Sequence, residues 1–308
     1  MIETIDVTLR ESIYTHLLFS YESALRFINQ LDKIPFLNTI ELGYADVIGT
    51  KAALSEFNEG YVIEARKTTA KNISIMFKLD NFVENKNVWN KTLWDNIDMV
   101  RIMSSRDLSM LKDSVKYFHD KGIITSVNHS YISRMSDDEK KYLLERVSES
   151  NADIFYIADT NGSMFEDDIA NLLQMVRKEC GEKIKIGFHA HNHYQMAAAN
   201  AYFVIKHGID LLDGTISGFG KGAGNLPLEL IPILAEKFQQ YKITIDDLLS
   251  FDLITKYFDS ITNSQYSSYE SYVNLLYAYR NMNLNEFNVL LNDGQYNNIG
   301  ERMIYYDK

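Results

Sequence analysis

Two histidines one residue apart carry the clearest sign of chemistry in the sequence. His189 and His191 end a run, residues 185–191, whose composition predicts a strand. Residues i and i+2 of a strand point to the same face, so both imidazoles can reach one divalent cation. A bare H-x-H pair is more often structural. The position of this pair at the end of the seventh predicted strand, with a carboxylate available from the first, favours a metal site.

A second segment with chemical potential is the glycine-rich run Gly218–Asn225. Its sequence, GFGKGAGN, carries four glycines in seven residues, follows the eighth predicted strand and precedes a helix. Such a loop lets the backbone approach a ligand closely, and its N–H groups can meet an anion. Taken alone, the run is equally consistent with a flexible connector, because glycine-rich loops are common.

Short strand-like segments alternate with amphipathic segments over most of the chain. The strands are predicted at Ile2–Leu9, Thr39–Gly43, Ile73–Leu79, Met99–Met103, Ile123–His129, Ile154–Asp159, Lys185–His191 and Leu211–Ile216. The helices are predicted at Tyr21–Leu31, Lys51–Glu56, Trp89–Asn96, Asp107–Asp120, Asp137–Ser148, Glu166–Glu179, Gln195–His207 and Leu228–Tyr241. Eight such repeats in about 240 residues predict an α/β fold, the (β/α)8 TIM barrel. The alternative is a doubly wound open sheet, which the lack of a G-x-G-x-x-G loop after the first strand disfavours.

Polar side chains cluster at the predicted strand ends, where a barrel of this kind places its active site. Any single one has an ordinary explanation as a salt bridge inside the barrel. Polar groups at every strand end are harder to dismiss, since burying them without partners costs free energy. These residues are Asp6, Arg10, Glu11, Glu41, Lys78, Arg101, Asn128, His129, Asp159, His189, His191 and Asp213.

Composition limits the class of protein. The chain has 308 residues, 46% of them hydrophobic, and a formal charge of −11 from 42 acidic and 31 basic side chains. This excludes a mainly disordered chain, and the negative charge argues against a nucleic-acid partner. A single cysteine, Cys180, excludes a disulfide framework. We expect no membrane association and a cytoplasmic location, because no signal peptide or long apolar run is present.

The sequence divides into a predicted catalytic barrel, residues 1–242, and a helical C-terminal extension, residues 243–308. The extension has no good strand run, is rich in Tyr and Asn, and is predicted to form helices at Ile245–Tyr257 and Tyr269–Arg280. Tyrosine-rich helices often pack on a barrel or at a subunit contact. We therefore expect a docked extension and a homo-oligomer.

The H-x-H pair and the glycine-rich run both lie within a longer stretch that resembles a known family. The stretch Gly187–Glu229 resembles the corresponding region of 4-hydroxy-2-oxovalerate aldolases and related aldolase-type members of the DRE-TIM metallolyase superfamily. The superfamily's opening motif, D-x-T-L-R-D-G, is similar to Asp6–Ser12. Ile40–Tyr44 and Tyr156–Ser163 also resemble the aldolase-type branch. The four motifs occur in order over residues 1–240.

The resemblance implies a (β/α)8 barrel with one divalent metal, commonly Mn²⁺ or Mg²⁺. Carried over residue by residue, the implied metal ligands are Glu11, His189, His191 and, as in some members, Asn225. The motif arginine is Arg10. Two positions depart from the motif: Glu11 replaces an aspartate, and Ser12 replaces a glycine, which adopts positive φ freely. A glutamate reaches about one methylene further, and metal sites respond to shifts of a few tenths of an ångström.

The resulting hypothesis is a metal-dependent carbon–carbon lyase of the aldolase type. It would cleave or form a bond in a 4-hydroxy-2-oxo acid and release pyruvate and an aldehyde. The ion would hold the keto and carboxylate oxygens of the substrate, and Arg10 would stabilise the enolate oxygen. Candidates for the general base are Tyr14, His16 and His129. Candidates for orienting the substrate are Glu41, Lys78, Arg101 and Asp159.

Two other functions stay open. The departures at Glu11 and Ser12 are consistent with a non-catalytic barrel whose metal site is degenerate, although Arg10 and both histidines are retained. The second alternative is a synthase that condenses an acyl-CoA with a 2-oxo acid, although such members usually carry a longer C-terminal region. Aldolases of this kind that pass a volatile aldehyde to a dehydrogenase use a C-terminal extension, so an aldehyde-processing partner enzyme is a further expectation.

Overall fold

Eight parallel strands close into a barrel in chain order, with β8 paired to β1. The computed structural model describes residues 2–15, 17, 19–45, 59–85, 91–104, 106–262, 268–279 and 289. The strands are β1 (Glu3–Asp6), β2 (Thr39–Tyr44), β3 (Asn72–Lys78), β4 (Met99–Ser104), β5 (Ile124–His129), β6 (Ile154–Asp159), β7 (Lys185–Ala190) and β8 (Leu211–Gly214). Each coincides with a predicted strand segment, which confirms the (β/α)8 TIM barrel.

Helices surround the barrel and continue into the C-terminal extension. They are α1 (Thr8–Glu11), α2 (Tyr21–Leu31), α3 (Glu59–Thr68), α4 (Phe82–Asn85), α5 (Lys91–Trp94), α6 (Leu111–His119), α7 (Asp137–Ser150), α8 (Glu166–Cys180), α9 (Ala197–Lys206), α10 (Leu230–Lys237), α11 (Ile245–Ile261) and α12 (Ser268–Tyr279). The helix predicted at Lys51–Glu56 lies outside the described residues, and α3 was not predicted. Local chemistry sets several of the helix starts: Ser136, for example, caps α7 in a capping box with Glu139.

The first strand is shorter than its pattern predicted, and this affects the site. The apolar alternation predicted a strand through Leu9, but β1 ends at Asp6. The Asp6 carboxylate accepts hydrogen bonds from the Thr8 N–H at 3.1 Å and the Thr8 hydroxyl at 2.7 Å. These local bonds turn the chain into the single helical turn α1. Arg10 and Glu11 are therefore placed by a helical turn and not by a strand.

Apolar side chains fill the lower part of the barrel, and polar groups occupy the level above. Ile5, Val7, Met99, Ile154, Tyr156 and Leu211 form one buried cluster. Gly187 makes room for the Tyr156 ring, because a Cβ at residue 187 would collide with that ring. The larger cluster lies between the strands and the helices, the usual second layer of this fold.

The described part of the extension packs directly on the barrel. Phe258 of α11 contacts Phe19 and Phe27, with ring centroids 6.5 and 5.9 Å away. The Asp247 carboxylate accepts the Phe36 N–H at 3.2 Å, and the Ser250 hydroxyl donates to the Lys33 carbonyl at 2.8 Å. The division between residues 242 and 243 stays a prediction. Within the described segments, no helix is long and apolar enough to span a membrane.

Candidate active site

A cavity of about 230 Å³ opens at the carboxyl ends of the strands. This is the end at which barrels of this class carry their active sites. Its walls hold three tyrosines, two lysines, an arginine and the H-x-H histidines. The lining residues are Arg10, Glu11, Tyr14, Tyr44, Met76, Lys78, Met103, Asn128, Ser130, Tyr131, Ala158, Thr160, His189, His191 and Lys221.

Glu11, His189 and His191 converge on one point of this cavity. Each offers a ligand atom, these atoms lie within 4.8 Å of one another, and all three residues are buried. Glu11 Oε1 lies 3.9 Å from His189 Nε2, and the two imidazole rings stand almost perpendicular with centroids 5.0 Å apart. The structure thus brings together three of the four residues that the sequence predicted as metal ligands.

Three polar atoms at this cluster have no hydrogen-bond partner in the part of the chain that the structure describes. His189 Nε2, His191 Nδ1 and Asn225 Oδ1 are buried and form no hydrogen bond with any described residue. Burying such atoms unpaired costs free energy, which a bound cation would recover. Imidazole nitrogen, carboxylate and amide oxygen are together a suitable donor set for a divalent first-row metal or Mg²⁺. The residues present therefore fit the metal that the sequence implied, and its identity is not specified by them.

Asn225 reaches the cluster because the glycine-rich loop folds back over the end of β7. The Asn192 N–H donates to the Gly224 carbonyl at 2.9 Å, and the Leu226 N–H donates to the Ala190 carbonyl at 3.2 Å. The Asn225 side-chain amide donates to the Phe219 carbonyl at 3.0 Å, which leaves its Oδ1 free. The loop thus presents an oxygen ligand beside the histidines.

The longer side chain at residue 11 is accommodated by this same loop. Glu11 Oε2 accepts the Lys221 N–H at 3.3 Å. A Cβ on Gly220 would lie 2.9 Å from that oxygen and would collide with the Asn225 amide, so residue 220 must be glycine. Ser12 has φ −58°, in the helical region, so the conformational freedom of a glycine is not required there. Both departures from the motif are compatible with the local geometry.

Protonation favours metal binding at this cluster. Burial, together with the neighbouring His189, lowers the pKa of His191 to about 3, so its imidazole is neutral. Burial opposes ionisation of Glu11, but the Arg10 guanidinium, helped by the Lys221 N–H, outweighs it and holds the pKa of this carboxyl below its ordinary value. A neutral imidazole and a carboxylate are the forms that bind cations.

A chain of alternating charges lies directly beneath the cavity. Arg101 donates to Asp213 Oδ2 at 2.6 Å and to Glu41 Oε2 at 3.0 Å, and Arg10 Nε donates to the same Glu41 oxygen at 2.6 Å. Arg10 Nη1 then donates to Glu11 Oε1 at 2.6 Å. Burial opposes ionisation of Asp213, but the Arg101 guanidinium outweighs it and holds the pKa at about 2. The cost of desolvating these charges offsets much of the Coulomb attraction between them, so the network adds little stability. Its main effect is to hold the side chains in fixed positions.

Of the four residues predicted to orient the substrate, three are buried outside the cavity and one lines it. Glu41 and Arg101 are fully buried below the cavity and do not line it. Asp159 is also fully buried, and its carboxylate accepts the N–H groups of Ser163 and Met164 at 3.0 and 3.1 Å. These three residues support the floor and the adjoining loop. Lys78 does line the cavity, and its contact with substrate stays a prediction.

Arg10 keeps part of its guanidinium available. Its Nε and Nη1 are engaged by Glu41 and Glu11, whereas Nη2 forms no hydrogen bond with any residue that the structure describes. The side chain lines the cavity next to the histidines. Because two carboxylates fix the plane of the guanidinium, its remaining N–H donors have a preset direction.

Two of the three predicted general-base candidates line different cavities. Tyr14 lines the cavity and its hydroxyl forms a 2.7 Å hydrogen bond with that of Tyr44. His129 lines a neighbouring cavity instead, with Nδ1 3.0 Å from the Ser104 hydroxyl. His16 lies outside the described residues. Burial raises the pKa of both Tyr14 and Tyr44, so both phenols are protonated near neutral pH.

Three residues of the site were not among the predicted site residues. Asp213 lies with its Oδ2 3.0 Å from His189 Nδ1, close enough for an ion pair although not aligned as a hydrogen bond. Tyr44 is the partner of Tyr14, and its place in the IELGY motif was the available signal. Lys221 holds its ammonium 5.9 Å from the ring centroids of both Tyr14 and Tyr131. Its position within the glycine-rich loop was the signal for Lys221.

Comparisons with known proteins show the family of the chain. The protein-family model described as HMGL-like matches residues 91–254, more than half of the chain. The 4-hydroxy-2-oxovalerate aldolase of Thermus thermophilus is 26% identical over 76% of this chain and 68% of its own length. The oxaloacetate decarboxylase of Mycobacterium tuberculosis is 26% identical over 74% of this chain and 68% of its own length.

Solved structures share the architecture. The N-terminal domain of a protein named as an aldolase in Bacteroides vulgatus superposes with a TM-score of 0.73 and 25% identity, over 89% of this chain and 93% of that one. The HMG-CoA lyase of Brucella melitensis superposes with a TM-score of 0.68 and 13% identity, over 84% and 99%, and shows the fold alone. From the family match and the barrel together, the chain belongs to the HMGL-like family of the DRE-TIM metallolyase superfamily.

Proposed function

We propose that this protein is a metal-dependent aldolase that cleaves or forms a carbon–carbon bond in a 4-hydroxy-2-oxo acid, with pyruvate and an aldehyde as the other side of the reaction. The observation that carries the proposal is the set of unpaired donors on His189, His191 and Asn225 beside Glu11, within reach of Arg10 in one small cavity. A relative named as a 4-hydroxy-2-oxovalerate aldolase, at 26% identity, supports the reaction class.

The metal and Arg10 would act on the same end of the substrate. A divalent cation, which we propose to be Mn²⁺ or Mg²⁺, would supply Lewis-acid polarisation of the 2-oxo acid when held by Glu11, His189, His191 and Asn225. The free Nη2 of Arg10 would donate to the enolate oxygen as negative charge develops there. Lys78 and Lys221 line the same cavity and would attract the substrate carboxylate to it.

Tyr14 is the residue best placed to move the proton of the 4-hydroxyl group. In the bond-forming direction its protonated phenol would donate to the alkoxide oxygen and become a phenolate; in cleavage that phenolate form would accept the 4-hydroxyl proton. Tyr44, at 2.7 Å, would share the resulting charge through its hydroxyl. His129 is less suitable, because it lines the neighbouring cavity.

A second candidate is decarboxylation of a 2-oxo dicarboxylic acid. Loss of CO₂ leaves an enolate that needs one proton, and the Tyr14 and Tyr44 phenols carry protons because burial raises their pKa. A relative named as an oxaloacetate decarboxylase, at 26% identity, gives this candidate further support. The two functions differ in whether an aldehyde or CO₂ accompanies pyruvate.

The test is pyruvate release by the purified protein, measured with Mn²⁺, with Mg²⁺ and after chelation. Substrates are a panel of 4-hydroxy-2-oxo acids and oxaloacetate, and His189→Ala is the comparison. We expect metal-dependent pyruvate release from a hydroxy acid, lost in His189→Ala. Release from oxaloacetate alone would select the decarboxylase. Metal binding without any turnover would favour the non-catalytic barrel, and thiol release from acetyl-CoA would favour the synthase.

A further inference from the structure

A second and larger cavity lies beside the candidate active site. We name it the side cavity; it has a volume of about 780 Å³, against about 230 Å³ for the cavity at the metal cluster. It is built at the ends of β4 and β5 and along the first turns of α7. The residues that line it are Met103, Ser104, Arg106, Leu108, His129, Ser130, Tyr131, Arg134, Met135, Asp138, Glu139, Tyr142 and Leu143.

The two cavities share one wall. Met103, Ser130 and Tyr131 line both cavities, so the two cavities adjoin at these residues. Tyr131 is held in the left-handed region at φ 62°, and its N–H donates to the Thr160 hydroxyl at 3.1 Å. A left-handed tyrosine is uncommon and costs free energy unless its surroundings hold it. This position places Tyr131 on the boundary between the two cavities.

The side cavity has a mainly apolar lining, and the positive and negative charges at its rim are equal in number. Leu108, Leu143, Met103, Met135 and Tyr142 supply most of its apolar lining. At the rim the charges of two exposed arginines are matched by two exposed carboxylates, those of Arg106, Arg134, Asp138 and Glu139.

The polar groups inside the side cavity are also uncharged or already engaged. At its inner end, Nδ1 of the buried His129 meets the Ser104 hydroxyl. Burial lowers the pKa of His129, so this imidazole is neutral near pH 7. The Glu139 carboxylate accepts hydrogen bonds from the Ser136 N–H and hydroxyl at the start of α7. The cavity thus offers no net charge to a ligand.

We propose that the side cavity binds the substituent on C4 of the substrate, the part that leaves as the aldehyde, and that this substituent is a bulky uncharged group such as an aryl or long alkyl chain. The inference rests on the proposed aldolase function, because it assigns the 2-oxo acid end to the metal cluster. A methyl substituent would leave the side cavity mostly unfilled. A phenyl ring entering it would lose contact with water and pack against thioether and aromatic side chains.

The experiment measures binding without turnover. Calorimetry with the Mn²⁺-loaded protein compares 2-oxobutanoate with 2-oxo-4-phenylbutanoate, neither of which has a 4-hydroxyl group to cleave. We expect the phenyl compound to bind at least tenfold more tightly. The Met135→Trp variant fills the side cavity and should remove that preference while the affinity for 2-oxobutanoate stays within twofold.

Matched variants distinguish the effect of filling the side cavity from a nonspecific effect of the substitution on the protein. Met175→Trp places the same change in a different surface cavity, between α7 and α8, and should alter neither affinity. Tyr142→Ala, at an exposed helix position that also lines the side cavity, gives a second variant should Met135→Trp fail to fold. It should weaken only the phenyl compound, because it removes one apolar wall.

Pyruvate release from 4-hydroxy-2-oxopentanoate, measured in parallel, distinguishes the two proposals. Release of pyruvate together with equal affinity for both 2-oxo acids would overturn the side-cavity inference alone. A phenyl preference that Met135→Trp abolishes, without pyruvate release from any hydroxy acid, would overturn the aldolase and retain the apolar site. A phenyl preference unchanged in Met135→Trp and in Tyr142→Ala, or no binding of either compound, would also overturn the inference.

Discussion

The Nδ1 atom of His189 lies 3.0 Å from Oδ2 of Asp213 on the neighbouring strand. Its other nitrogen, Nε2, is thereby directed towards Glu11 and the point on which the cluster converges. A carboxylate behind a ligating histidine orients the ring and raises its basicity. Arg101 in turn holds Asp213 at 2.6 Å, so the orientation of one metal-binding ring depends on a buried ion pair.

The Asp213→Asn variant is therefore expected to bind metal more weakly, by about 10- to 100-fold, because an amide is a poorer orienting partner. Calorimetric titration with Mn²⁺ measures the affinity, and thermal unfolding checks that the variant is folded. Asp167→Asn, an exposed carboxylate on α8, is the matched control. Equal Mn²⁺ affinity in Asp213→Asn and the parent would show that this carboxylate does not support the ligand.

The Glu11→Asp variant tests whether the site has adapted to its longer carboxylate. We expect weaker Mn²⁺ binding, since the shorter side chain withdraws from the Lys221 N–H and from the space left by Gly220. A degenerate site predicts the opposite sign: Glu11→Asp combined with Ser12→Gly would then strengthen binding. A double variant at least tenfold tighter than the parent, about 1.4 kcal/mol, would favour the non-catalytic barrel.

Arg10→Lys tests the enolate contact. Lysine keeps the charge but loses the planar donor array that Glu41 and Glu11 hold in place. We expect kcat to fall about 100-fold or more in a folded protein. Arg26→Lys, at an exposed position on α2, is the control for the same exchange. A rise in KM with kcat unchanged would mean that Arg10 binds ground state and transition state equally.

Tyr14→Phe and His129→Gln separate two of the predicted proton-transfer residues. Loss of the Tyr14 hydroxyl should lower kcat for pyruvate release by roughly 10²- to 10⁴-fold, the usual range for an acid–base group, with Mn²⁺ affinity unchanged. His129→Gln should leave kcat for 4-hydroxy-2-oxopentanoate within a few-fold, because His129 lines the side cavity. The reverse pattern would transfer the role from Tyr14 to His129.

We expect the buried carboxyl group of Glu229 to make the free energy of unfolding depend on pH. Burial raises its pKa from 4.5 to about 7, although the Ser217 N–H donates to its carboxylate at 2.9 Å. Between these values the folded protein holds a proton that the unfolded chain has released. This group's contribution is therefore present below pH 4.5 and is lost as the pH rises towards 7.

The measurement is the free energy of unfolding in urea from pH 4.5 to 8, with a metal chelator present. Relative to Glu229→Gln, the parent should lose at most about 1.4 kcal/mol per pH unit up to pH 7, and nothing further above it. Glu166→Gln, at an exposed position, should keep the parent's slope. Identical slopes in the parent and Glu229→Gln would contradict the raised pKa.

Much of the fold and part of the site were determined by local sequence. The alternation of eight strand segments with helical segments predicted the barrel, and strand periodicity alone placed His189 and His191 on one face. The motif around Arg10 and Glu11 was recognisable in sequence as well. These features depend on neighbouring residues, and the chain order of the strands is also their order around the barrel.

Tertiary structure decided which polar residues face the cavity. Glu41 and Arg101 stand at strand ends as Lys78 does, yet they pair across the barrel with Arg10 and Asp213, residues distant in the chain. Strand periodicity distinguishes inward from outward but not the height of a side chain within the barrel, which depends on strand stagger and on the size of opposing side chains. For the same reason the sequence did not predict the pairing of Tyr14 with Tyr44 or of His189 with Asp213. It also did not predict that His129 lies away from the metal cluster, because these contacts form only when strands β1 to β8 close into the barrel.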